Sequence, residues 1–197
     1  NTEISRSVLL QLLVIQAWVC ALSNGGLPSI QSYSCLPYGN VAYHLAVTLS
    51  SMANPLSCLI AYFLPITNIL LIVSFATLGS AISGYIIALA AMSPTLVLVG
   101  STGGEALMVC ILVLEIVICH KASAFMHRQV LAWIACVGLL TYVKVSIAFI
   151  LRMQEGKGDR NLFWFGVFTQ VGSAVGSIIA FVLVNVYQVF QSYSPCT

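Results

Sequence analysis

The residues able to do chemistry in this chain are few, and nearly all are neutral. Trp18, Asn24, Gln31, Tyr33, Tyr38, Tyr43, His44 and Asn54 lie in the first third. They offer aromatic faces for stacking together with neutral donors and acceptors. Lys144 is the only basic residue well inside an apolar run. Such a set suits a mostly apolar site in which a few polar groups orient a neutral ligand. Many carriers of polar ligands would show the same pattern. Catalytic sets are missing from the sequence: there is no HExxH, no paired aspartates, no Walker motif and no nucleophile–base grouping. The seven cysteines include no CxxC pair, so zinc and thioredoxin-like readings fail. The chain is not expected to be an enzyme, to hold a metal or to need a cofactor.

The elements that position these residues follow from composition. The chain is 60% hydrophobic and 6% charged, with mean hydropathy +1.03. A soluble domain carries about 25% charged residues, so lipid must be the main solvent. Ser7–Gly104 and Asn161–Thr197 contain no Asp, Glu, Lys or Arg. Such runs fit spanning helices of about 20 residues better than the alternating segments of a β-barrel. The net charge of +2 is small and the basic residues sit at span ends, which argues against a nucleic-acid partner. The fold class is therefore all-α, a polytopic helical membrane protein.

Spans are expected at about Ser7–Ile30, Tyr38–Phe63, Ile69–Met92, Val130–Leu151 and Leu162–Tyr187. Ser23–Gly26 and Pro28 should open the first span, and Gln31–Pro37 reads as a loop. Glu105–Cys119 covers only about 22 Å as a helix, short of the roughly 30 Å core. Five crossings put Arg6 and the Arg152–Arg160 loop on one side, in keeping with the positive-inside rule. Six crossings, the alternative, would put Lys121/Arg128 and that loop on opposite sides. On the five-span reading the residues of about 110–129 are surplus. Gly172 and Gly176, in GxxxG spacing, allow close helix packing.

Several stretches carry a resemblance. Leu27–Gly39, Val41–Ala46, Ser51–Pro55, Gly103–Glu105, Tyr142–Val145 and Leu183–Val186 are similar, in the same order, to the eukaryotic riboflavin transporter family, solute carrier family 52. The resemblance implies a transporter of eleven helices whose last five correspond to this chain. It implies a C-terminal bundle of a major-facilitator or equilibrative-nucleoside-transporter-like fold, partnered by an N-terminal half of six helices. Asn1 then reads as a cut end. In the family the Gly-Gly-Glu and Tyr-Val-Lys-Val motifs share one helix. Here Glu105 and Tyr142 stand too far apart for one crossing, which marks 110–129 as an insertion. The expected substrate is riboflavin, moved across the plasma membrane by alternating access. A receptor that binds without transport, and a carrier of another neutral aromatic solute such as a nucleoside, are the alternatives.

Each candidate has two readings. Asn24 either contacts substrate or caps a helix end. Gln31 and Tyr33 serve binding, or else gate and loop packing. Tyr38 binds or anchors at the headgroups. His44, beside Tyr43, is a proton relay or a satisfied imidazole. Asn54 binds or supports backbone freed by Pro55. Lys144 faces the bundle for function or snorkels toward Arg152. Under the five-span topology Cys35 and Cys196 both lie outside, where a disulfide is permitted, and the C-terminus is extracellular.

Overall fold

The computed structural model describes residues 5–35, 40–91, 124–154 and 158–187. Helix α1 (Arg6–Cys20) continues through a π-helical segment (Ala21–Gly26) into α2 (Leu27–Cys35). Then come α3 (Asn40–Phe63), α4 (Ile69–Ala91), α5 (Ala124–Arg152) and α6 (Gly158–Phe181), the last extended by a π-helical turn, Val182–Val186. Among the described residues five helical stretches are long and apolar enough to cross a membrane: Arg6–Gln31, Tyr43–Phe63, Ile69–Ala88, Val130–Arg152 and Gly158–Val186. They match the five spans expected from the sequence; residues 92–123, where a sixth crossing would fall, lie outside the described residues.

The break in the first span takes an unexpected form. Ser23–Gly26 does not unwind; it widens into i→i+5 turns and the helix goes on. Gln31–Cys35, expected as a loop, is the end of α2. The reason lies in Pro28. It closely follows the π segment, so its ring sits in a helix already widened by i→i+5 turns and the helix does not end there. The Arg152–Arg160 loop is also shorter than expected. α5 ends at Arg152 and α6 begins at Gly158, so Asp159 and Arg160 lie in a helix. Arg152 at a C-terminus and Asp159 at an N-terminus each complement the helix dipole. Of the 110–129 segment, only 124–129 is described, as the first turns of α5. Glu105 lies outside the described residues.

α5 is the hub. Val130, Trp133, Cys136, Leu140, Val143 and Ile147 are buried on it, and α1, α3, α4 and α6 all touch it. α4 meets it by interlocking: Gly79 leaves the hole that Leu140 fills, and Ser83 Oγ lies 3.1 Å from Cys136 Sγ. Asn68 Oδ1 accepts the Leu70 N–H at 3.0 Å and caps α4. The Tyr142 hydroxyl donates to the Leu64 carbonyl and pins α5 to the α3–α4 connection.

α6 docks differently, along α1 and the π segment. A Cβ on Gly172 or Gly176 would run into the backbone of Ala17 or Ala21, and one on Gly25 into the backbone of Gly176. Small residues thus face one another along two helices whose backbones touch. The large apolar side chains left outside, such as Leu70, Ile178 and Phe181, would be a liability in water. In a membrane they are the lipid face.

Candidate functional site

The α1–α6 seam carries polar side chains near the middle of the spans. Gln16 is 1% exposed. Its Nε2 donates to Thr169 Oγ1 at 3.0 Å and approaches Cys20 Sγ at 3.2 Å. Its Oε1 is buried without a partner. Two turns further along, Asn24 Nδ2 donates to Ser173 Oγ at 3.0 Å. Lys144, on α5, reaches across and donates from Nζ to Ser23 Oγ at 3.1 Å. Ser23 Oγ in turn donates to Asn24 Oδ1 at 3.3 Å. Ser173 and Thr169 hand their protons to the carbonyls of Thr169 and Phe165, each at 2.8 Å.

The result is a directional chain, Lys144 to Ser23 to Asn24 to Ser173 to backbone. It joins three elements: α5, the π segment and α6. The π segment makes this alignment work. In a regular α-helix, residues four apart advance by about 40° around the axis. The slower rotation of i→i+5 turns offsets that drift. Ala17, Ala21 and Gly25 therefore stay on α6, while Ser23 and Asn24 reach the neighbouring helices.

The electrostatics are those of a neutral site with one cation. Lys144 lies about 12 Å along its helix from Arg152 and is directed at the seam, not the helix end. An ammonium at the centre of a membrane costs about 2.5–3.5 kcal/mol. Among the described residues the one carboxylate is Asp159, at the start of α6. Among those residues there is also no cluster of three or more metal-ligating side chains. The seam can donate and accept hydrogen bonds to a neutral guest, and it opens outward at Asn24, which is exposed. Beside it, exposed Trp18 donates its indole N–H to Ser80 Oγ at 2.9 Å, tying α1 to α4.

The expected site residues do not all gather there. Asn24 and Lys144 do, joined through Ser23. Asn54 lies elsewhere: its Oδ1 accepts from Thr141 Oγ1 at 3.0 Å, bridging α3 to α5. Tyr43 and His44 stack edge-on at 5.6 Å in the first turns of α3, with Tyr43 against the core and His44 exposed. Gln31 and Tyr33 lie half-buried on α2. Tyr38 and Cys196 fall outside the described residues, as does the side chain of Cys35. Gln16, Ser23, Thr169 and Ser173 were not expected. The signal that could have found them is a pair of polar residues seven apart on the first span, Gln16 and Ser23, and a pair four apart on α6, Thr169 and Ser173, next to the small-residue stripe.

Comparison with known proteins gives this arrangement a family. The model of "Solute carrier family 52, riboflavin transporter" matches residues 1–121 and 116–192. Solute carrier family 52, riboflavin transporter, member 3-B of Danio rerio is 43% identical over 98% of this chain and 37% of its own length. Riboflavin transporter 2 of Salmo salar is 43% identical over 94% of this chain and 35% of its own. Member 3 of Homo sapiens is 40% identical over 94% and 34%. The chain thus spans little more than a third of the length of these relatives. No solved structure matches. The chain belongs to the solute carrier family 52 riboflavin transporters.

Proposed function

We propose that this chain forms the C-terminal helical bundle of a transporter that carries riboflavin across the plasma membrane by alternating access. The observation that carries the reading is the donor chain from Lys144 to Ser173, set near mid-span and free of a carboxylate among the described residues. Riboflavin is a flat tricyclic ring with a polyhydroxyl tail, neutral near pH 7. It needs hydrogen bonds and stacking, not a counter-charge. In helices π-bulges are frequent at functional sites, and the π segment is such a bulge. Its exposed Asn24 and the neighbouring Trp18 supply one polar and one aromatic contact.

On this reading the second bundle is an N-terminal half of six helices, and the two halves rock about the site between them. The fold would be of the major-facilitator or equilibrative-nucleoside-transporter kind. Riboflavin is the substrate, and no cofactor takes part. The chain is a carrier and not an enzyme, in keeping with its family of solute transporters. Arg6 and the segment after Arg152 face the cytoplasm, and the C-terminus lies outside. On this reading segment 110–129 is an insertion in the family pattern; the two ranges of the family match overlap within it, at 116–121.

The test is uptake of radiolabelled riboflavin by the full-length transporter, with flavin analogues as competitors. We expect saturable uptake that flavins suppress and nucleosides do not. Binding without flux into sealed vesicles would refute the transport reading and leave a receptor.

A further inference from the structure

α3 divides into three faces. At about 100° per residue, Ala46, Ser50, Ala53, Ser57 and Ala61 share one side. All are buried or half-buried, and this side packs against the bundle. Leu45, Leu49, Met52, Leu56 and Phe63 share a second side, exposed and wholly apolar. His44, Thr48, Ser51, Pro55, Cys58 and Tyr62 fall within about 40° of a third line, and every one of them is exposed. Lipid explains the second face. It does not explain the third, which sets an imidazole, two hydroxyls and a proline in one exposed line.

The third face has its own chemistry. Thr48 Oγ1 donates to the His44 carbonyl at 2.7 Å, and Ser51 Oγ to the Val47 carbonyl at 2.7 Å. Both hydroxyls send their protons inward, so their lone pairs point out as acceptors. Pro55 lacks an N–H and leaves the Ser51 carbonyl without its helical donor. That carbonyl is a further acceptor, on the same face at mid-membrane. The stripe from His44 to Tyr62 is about 27 Å long, nearly the whole roughly 30 Å hydrocarbon core. A closed binding site needs a patch; a route needs a stripe from one side to the other.

We infer that this face of α3 is a water-exposed wall of the solute route, an acceptor-rich surface for a neutral solute rich in hydroxyl donors. The identity of that solute rests on the riboflavin reading above; the contact with water does not. The native thiols provide the probe without any substitution. Cys58 lies on the stripe and is exposed, whereas Cys20 and Cys136 are buried.

The full-length protein in cells and in inside-out vesicles is treated with the impermeant cation 2-(trimethylammonium)ethyl methanethiosulfonate and mapped by peptide mass spectrometry. We expect Cys58 to be modified from at least one side while Cys20 and Cys136 stay intact. Thr48→Cys should react at least tenfold faster than Met52→Cys, which is also exposed but on the apolar face. Silence of both Cys58 and Thr48→Cys from both sides, in protein that reaches the surface, overturns the inference, as does equal reactivity of the two engineered thiols. Excess riboflavin should slow the modification at least threefold. Accessible thiols that riboflavin fails to protect would count against riboflavin as the solute and leave the watery wall standing.

Discussion

Two helix pairs in this bundle solve the same problem in opposite ways. α4 and α5 meet through side chains, with Leu140 seated over Gly79 and a Ser83–Cys136 contact buried beside it. α1 and α6 meet through backbone, with Gly172, Gly176 and Gly25 leaving no room for even a methyl group. Lipid tails are as apolar as leucine, so no hydrophobic force draws helices together in a bilayer; packing and interhelical hydrogen bonds must do it. The side-chain pair gains many dispersion contacts and can adjust. The backbone pair gains closeness and places polar groups within reach of each other, but it cannot adjust. The donor chain sits at the second kind of contact, where a polar group has a fixed partner.

The largest effect should come from testing that rigidity. We expect Gly172→Leu or Gly176→Leu to separate α6 from α1 and abolish both surface expression and uptake. Gly79→Leu should do much less, because the atom in its way is the far end of the Leu140 side chain. Overpacking that a flexible neighbour can absorb costs about 1–3 kcal/mol. Detergent melting curves and surface biotinylation would measure both. If Gly172→Leu transports normally, the contrast between the pairs is wrong.

The next effect probes the side-chain pair from the other direction. Leu140 is fully buried, and Leu140→Ala should lower stability by about 2–5 kcal/mol through the cavity it leaves. The riboflavin KM of the surviving protein should stay within a factor of two. A large KM change with unaltered melting would move the binding site toward α4 and α5.

Lys144 separates stability from function. Lys144→Met removes a charge whose burial costs about 2.5–3.5 kcal/mol, so the variant should insert and melt at least as well as the parent. Its uptake should nevertheless fall at least tenfold, since Ser23 loses the donor that orders the chain. Lower melting with unchanged uptake would make Lys144 a structural residue.

How much of this was legible follows from which residues report locally. The five spans were, because long apolar runs with at most one ionised side chain can only be membrane segments. The GxxxG seam was, because small residues four apart mark one helix face. Gln16 was not: it is one polar residue in an apolar run, and its partner Thr169 is distant in sequence. Ser173 and Ser23 were not, because a membrane hydroxyl usually satisfies itself on its own backbone. Pro28 misled for a related reason. A proline reads as a terminator unless the helix is known to be widened beside it, and sequence periodicity does not reveal the π segment that does so here.

The smallest effect is the most discriminating, because it compares two like hydrogen bonds in the two unlike settings. Ser173→Ala removes the acceptor of Asn24 in the seam. Ser83→Ala removes the contact with Cys136 in the side-chain pair. Interhelical hydrogen bonds in membranes average about 0.6 kcal/mol, so both variants should melt within a few degrees of the parent and of each other. Their transport should differ. Ser173 holds the amide of Asn24 with its oxygen toward Ser23 and Lys144, so its loss should raise the riboflavin KM about three- to tenfold with Vmax nearly unchanged. Ser83 touches nothing in that chain, and its loss should leave both constants alone. Equal KM values for the two variants would mean that the rigid seam merely holds helices together, and the site would have to be sought on the exposed face of α3.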